Sequence, residues 1–239
     1  MNTWDKLATF LRTAPTKNHS VACWLLGHYA GRKKDAPVFL QLLAHKKSDA
    51  DLMMQAAVEL SLVTNAGTMD PLIYLMKSGD TPDRRKAAAY ALTFSFFRNV
   101  KRLNDAFVEV LNDTEQPPPV RAQAAEGLGN YHAYGDHRTK QFQLALHVLV
   151  DALSDRSAEV RFWSAFALGS MGSKAALPAL RTLARNDPSL VKGWWYVSEE
   201  ADDAISNILG REIPDRIPVS LRKKSDRRRP CQDRPEHLR

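Results

Sequence analysis

With 239 residues, 44% hydrophobic and 26% charged, the chain has the balance of an ordinary soluble globular protein, and no apolar run reaches the length that spans a bilayer. Net charge is +7, but Leu221 to Arg239 hold eight Lys/Arg against three acids, which leaves 26 basic and 24 acidic residues before them. A near-neutral body with a basic tail excludes a broad nucleic-acid-binding face on the folded part. The two cysteines, Cys23 in an expected helix and Cys231 in the polar tail, suggest no structural disulfide, and residues 1–15 carry no apolar leader core, so a reducing cytoplasm is expected.

In chain order, helical periodicity predicts a first helix over 3–12 and a second over 19–27. Apolar stretches then recur as pairs. Pro37–Leu43 precedes Leu52–Leu60, Pro71–Met76 precedes Arg84–Leu92, and Leu103–Leu111 precedes Val120–Gly129. Phe142–Leu153 precedes Val160–Gly169, and Leu177–Ala184 precedes a degenerate copy ending at Gly210. Clusters of Asp, Pro and Ser, such as Asn112 to Pro119, separate the members of each pair and predict turns. Each unit therefore reads as helix, short loop, helix.

The second helices are copies of one template. Val120-Arg121-Ala122-Gln123-Ala124-Ala125-Glu126-Gly127-Leu128-Gly129 returns forty residues later as Val160-Arg161-Phe162-Trp163-Ser164-Ala165-Phe166-Ala167-Leu168-Gly169. Anchoring leucines at 26, 60, 92, 128, 168 and 209 mark about six units. Small residues at equivalent positions (Ala57, Ala89, Ala125, Ala165) predict close helix packing. One hairpin cannot bury its apolar faces alone, so stacking must supply the core. The expected fold is an all-α, right-handed α-solenoid of about six helix pairs over residues 1–212, followed by a basic, disordered tail over 213–239.

The pattern Val-Arg-x-x-Ala-Ala-x-Ala-Leu-Gly resembles the second helix of HEAT repeats of the phycobilin-lyase-like type. The resemblance is strong from 82 to 186 and weaker toward both ends, and it implies a scaffold that binds another protein along the concave side lined by second helices. Bilin lyase subunits and deoxyhypusine hydroxylase share such repeats, but no His-Glu dipeptide of the kind that holds the hydroxylase's iron occurs here. Trp194-Trp195 with Asp202-Asp203 loosely resembles the aromatic and carboxylate pocket of HEAT-like DNA glycosylases, whose repeats this chain does not otherwise match. Neither enzyme reading is favoured, since no nucleophile motif, nucleotide loop or zinc spacing is present. No cofactor or metal is expected.

Candidate residues follow from comparing the copies. Phe162 stands where sister repeats hold Ala122, Lys86 and Met54, Trp163 where they hold Gln123, Ala87 and Gln55, and Phe166 where they hold Glu126, Tyr90 and Val58. Aromatic rings at positions that are polar elsewhere make Tyr90, Glu126, Phe162, Trp163 and Phe166 candidates for a partner surface, with packing against a neighbouring loop as the alternative. Asp113, Arg121, Asp155 and Arg161 recur in register and suggest a structural ladder that fixes the turns. Trp194, Trp195 and Tyr196 are expected to cover the open end of the last repeat, and Phe94, Phe96 and Phe97 to be core. Arg222, Lys223, Lys224, Arg227, Arg228 and Arg229 could contact an anionic partner, nucleic acid included, or serve only solubility.

Overall fold

The computed structural model describes residues 36–46, 48–62, 66–95 and 100–222. The helices expected at 3–12 and 19–27, with Cys23 and Leu26, lie outside the described residues. So do Phe96, Phe97, Lys223, Lys224, Arg227, Arg228, Arg229 and Cys231. Among the described residues there are ten α-helices, two short 3-10 turns and no strand beyond one antiparallel bridge between Leu190 and Tyr196. The chain divides between Ala106 and Phe107 into two compact units, a division that the repeat pattern does not mark.

The first unit contains α1 (Ala36–Ala44), α2 (Ala50–Ser61), α3 (Ala66–Ser78), α4 (Pro82–Thr93) and the start of α5 (Val100–Asn112). Helix α1 pairs with α2 and α3 with α4, while α2 packs on α4 and α1 on α3, so like helices of successive pairs lie side by side. The starts are set locally. Asp49 accepts from the Leu52 N–H at 2.8 Å to begin α2. Thr81 accepts from the Arg84 N–H at 3.2 Å, with Pro82 in the first position of α4, where its missing N–H costs nothing. The anchors Leu60 and Leu92 are fully buried.

The second unit holds the rest of α5, then α6 (Pro118–His132), α7 (Lys140–Ala152), α8 (Ala158–Met171), α9 (Leu177–Asn186) and α10 (Val197–Ile208). The second helices α6, α8 and α10 form a continuous stack, with α7 behind α8 and α9 behind α10. Leu128 and Leu168 are fully buried within it. The stack is tight because the template ends in glycine. A Cβ on Gly129 would lie 2.6 Å from the Ala167 Cα, and one on Gly169 would lie 2.8 Å from the Ala204 Cα. The sequence places its small residues between the two helices of a pair, whereas these two glycines hold successive second helices together. Helix α8 stops at Gly172, whose φ of 69° ends it in the left-handed region.

Residues 213–222, which the sequence assigns to the tail, pack against α10. Val219 is buried and donates its N–H to the Trp194 carbonyl at 2.9 Å. Arg216 binds Asp203 at 2.8 and 2.7 Å and Glu199 at 3.2 Å, and Arg222 reaches both Glu199 oxygens at 2.9 Å. This strap supplies the cations for Glu199 and Asp203 on α10, whereas Trp195 donates its indole N–H to Glu200 and packs on the preceding repeat. Those expectations thus change: the end of the repeat stack is closed by chain that charge composition alone marks as tail.

Candidate functional site

Two of the ladder residues, Arg121 and Asp155, meet across successive repeats, and Arg161 meets Asp187. Each ladder Asp spends one oxygen on its own loop. Asp113 Oδ1 accepts from the Glu115 N–H at 3.1 Å, Asp155 Oδ1 from Ser157 at 2.8 Å, and Asp187 Oδ1 from Ser189 at 3.0 Å. The second oxygen of Asp155 and of Asp187 takes the arginine of the repeat before it: Arg121 Nη2 lies 2.5 Å from Asp155 and Arg161 Nε 2.6 Å from Asp187. Each arginine also holds its own loop, Arg121 through the Leu111 carbonyl at 2.9 Å and Arg161 through the Asp155 carbonyl at 2.7 Å. Asp187 completes the ladder and escaped sequence reasoning, because the last repeat is too degenerate to align. Burial alone would raise the Asp187 carboxyl, but the hydrogen bonds from Arg161 and Ser189 outweigh it and hold the group below its ordinary value.

The first unit uses a variant of the same device. Arg85, the template counterpart of Arg121, donates to the Gly79 carbonyl of its own loop at 2.6 Å. Arg84 occupies the position of Val120 and Val160 and is only 3% exposed. It reaches back to the carbonyls of Leu43 and His45, both at 2.8 Å, and forms an ion pair with Asp80. Burial lowers its pKa from the usual arginine value.

The aromatic candidates divide. Phe162 is 1% exposed, so the expectation that it faces solvent does not hold: its counterpart Ala122 is equally buried, and the half-buried Lys86 in the first unit was the misleading comparison. Trp163 and Phe166 remain half-buried on α8. Together with Trp194 and Trp195 these rings form one cluster. Trp163 lies 5.5 Å from Phe162, 5.4 Å from Phe166 and 5.1 Å from Trp194 between centroids, all edge-on. Trp195 sits 5.7 Å from Phe162. The two tryptophans of the last loop therefore pack on the preceding repeat, and Trp194 stays 39% exposed. Glu126 is half-buried and accepts from the Gln123 amide at 2.5 Å, while Gln123 itself is covered, which the comparison of copies did not anticipate. In the first unit the Tyr90 ring meets Phe94 at a tilt, 4.7 Å between centroids. Phe94 is exposed, contrary to the core role expected of it.

Beside the cluster a cleft of about 360 Å³ opens between α8, α10 and the strap, lined by Phe166, Trp195, Glu200, Asp203, Asp215 and Arg216 among others. Trp195 Nε1 donates to Glu200 Oε2 at 2.9 Å. Burial pushes the Glu200 carboxyl up to about 7, opposed by that hydrogen bond, reinforced by the nearby Asp203 charge and opposed again by Arg216. Nothing in the sequence pattern singles out Glu200, because neighbouring Glu199, Asp202 and Asp203 look alike without the strap that sorts them. Arg222, expected to be free for an anion, is bound to Glu199. Among the described residues no group of His, Cys, Asp and Glu could hold a metal ion, and no helix is long and apolar enough to cross a membrane.

The sequence model of HEAT repeats matches residues 104–196. No curated protein matches the chain in sequence. Among solved structures, one engineered protein matches with a TM-score of 0.54 at 22% identity, over 88% of this chain and 98% of its own. A second engineered protein matches with a TM-score of 0.51 at 24% identity, over 87% of this chain and 58% of its own. Computationally designed armadillo repeat proteins for modular peptide recognition give 0.47 at 20% identity, over 84% and 98%. The likeness at these identities is one of fold: residues 104–196 are similar to HEAT repeats, and the described residues are all-α and share the fold of the two engineered proteins.

Proposed function

We propose that the chain is a non-enzymatic scaffold or adaptor of the cytoplasm, built from HEAT-like repeats of the phycobilin-lyase-like type, which binds another protein on the second-helix face of its second unit. The observation that carries this reading is the pair Trp163 and Phe166. They are half-buried at positions where the preceding repeat holds Gln123 and Glu126, and Trp163 adjoins the exposed Trp194. Large rings that a repeat does not need for its own stacking are the kind of anchor that carries binding energy at protein interfaces. Tyr90 with Phe94 would be a separate contact on the first unit.

The test is affinity capture with the full chain. Trp163→Gln places the residue of sister positions 123 and 55 on α8. It is expected to lose the captured protein, while Leu144→Gln, which alters an exposed apolar side chain on α7, retains it. Equal capture by both variants would overturn the reading. Because Trp163 touches three other rings, its replacement should also cost about 1–2 kcal/mol of stability, so capture is measured well below the melting temperature.

A second reading rests on the five positive charges in excess over Leu221 to Arg239. Binding of DNA or RNA through Lys223, Lys224, Arg227, Arg228 and Arg229 would weaken steeply with salt. Replacing these five with Gln in the full chain would abolish it. Arg222 is left intact because it holds Glu199.

A further inference from the structure

The cleft between α8, α10 and the strap is lined by a carboxyl with one oxygen to spare. Glu200 is 4% exposed, yet only one of its oxygens has a hydrogen-bond partner among the described residues, the Trp195 indole at 2.9 Å. The other oxygen belongs to a side chain that lines the cleft. That oxygen is not closed off inside the fold, so it is available to a donor on a molecule that enters the cleft. The strap guanidinium does not fill that place. Arg216 is engaged by both Asp203 oxygens, at 2.8 and 2.7 Å, and by Glu199 at 3.2 Å. Helix α8 offers no charged side chain to the cleft, only Phe166 and small neighbours, so the charged groups facing Glu200 are Asp203 on its own helix and Asp215 and Arg216 on the strap.

What fits such a place is a cation with an apolar stem. Three carboxyls against one committed guanidinium leave the cleft negative, and the faces of Phe166 and Trp195 suit a positive head and its methylenes. We propose that this cleft is a binding site for a lysine or arginine side chain, its charged head taken by the free oxygen of Glu200 and its stem laid against Phe166 and Trp195. The inference rests on the reading of α8 as partner-facing, since Phe166 belongs to both surfaces, and names the chemistry of what is bound.

The test is an NMR titration of the full chain, following the Trp195 indole N–H. The probes are Nα-acetyl-argininamide, Nα-acetyl-lysinamide and the neutral Nα-acetyl-norleucinamide. Both cationic probes are expected to bind at millimolar concentration and the neutral one about tenfold more weakly. Because a cation requires the ionised carboxyl, affinity should rise about tenfold from pH 6 to pH 8 and then level off. Glu200→Gln keeps the size and the indole acceptor; it should lose about tenfold in affinity at pH 8 and abolish the pH dependence. Equal binding of norleucinamide, or a Glu200→Gln protein with unchanged affinity and slope, overturns the proposal.

A second arm distinguishes the source of the side chain. If changing Lys223, Lys224, Arg227, Arg228 and Arg229 to Gln tightens probe binding, the chain's own tail occupies the cleft. Unchanged binding assigns the site to a partner's side chain. Probe binding without Trp163-dependent capture would sink the scaffold reading alone, and capture without probe binding would sink this one alone.

Discussion

At the scale of single residues, Glu200 illustrates how position overrides type. Four acids lie within five residues on α10, and only Glu200 is both buried and without a cation of its own. Its carboxyl holds a proton in the folded chain up to about pH 7, while in the unfolded chain it releases that proton near the ordinary glutamate value. Its contribution to stability is therefore complete at low pH and lost as pH rises toward 7. The amount is on the order of 3 kcal/mol from the size of the shift. Urea unfolding at pH 5 and pH 8 should show Glu200→Gln gaining on the native chain at pH 8 and little or nothing at pH 5. A difference that did not change with pH would refute the assignment. His132 works in the opposite sense: burial against Phe142 depresses its pKa, so its contribution is present above the ordinary histidine value and fades as pH falls through it.

At the scale of elements, the repeated glycines decide how closely the second helices pack. Gly129→Ala would gain about 0.5–1 kcal/mol in helix propensity. It would also push a methyl to within 2.6 Å of a backbone atom of α8, a position from which no side-chain rotation offers relief. Overpacking of this kind costs about 1–3 kcal/mol, so the substitution is expected to lower the unfolding midpoint despite the better helix former. A rise in the midpoint would show that the stack can open without cost. The ladder makes a parallel prediction. Arg161→Met leaves Asp187 buried without its cation and should destabilise by about 3 kcal/mol at neutral pH, with part of that recovered once acid protonates Asp187.

The elements are also where sequence and structure can be compared fairly. The helices from Pro37 onward and the buried leucines 60, 92, 128 and 168 were legible because a repeat states each rule several times. The inward turn of Phe162 was not, since its sister positions hold both Ala122 and Lys86 and give opposite advice. The partner of Asp155 was not legible for a different reason: spacing along the chain names no arginine, and stacking delivers Arg121 from the repeat before. Sequence periodicity reports which faces are apolar. It says little about which neighbour supplies a charge.

For the molecule as a whole, the strap is the feature that composition conceals. A solenoid must cover its last helix, and here the covering uses Arg216, Val219 and Arg222 out of a stretch whose basic character reads as disorder. Arg216→Met should expose the cost, about 3–5 kcal/mol, because Asp203 loses its cation and Glu199 keeps only Arg222. Limited proteolysis is expected to cut such a variant between Arg211 and Arg222 well before it attacks α8 or α10. Cleavage at equal rates in variant and native chains would mean that the strap is not what seals this end.

The divided carboxylates of Asp155 and Asp187 carry a consequence for how such a chain can lengthen. Each gives one lone pair to its own turn and the other to the arginine upstream, so the segment from Val120 to Glu159 carries Arg121 at its start and its partner Asp155 at its end. Copying the segment from Val120 to Glu159 in tandem would reproduce both partners in register and leave no orphaned charge at either seam. Growth by duplication of that segment then needs no compensating mutation at the joint.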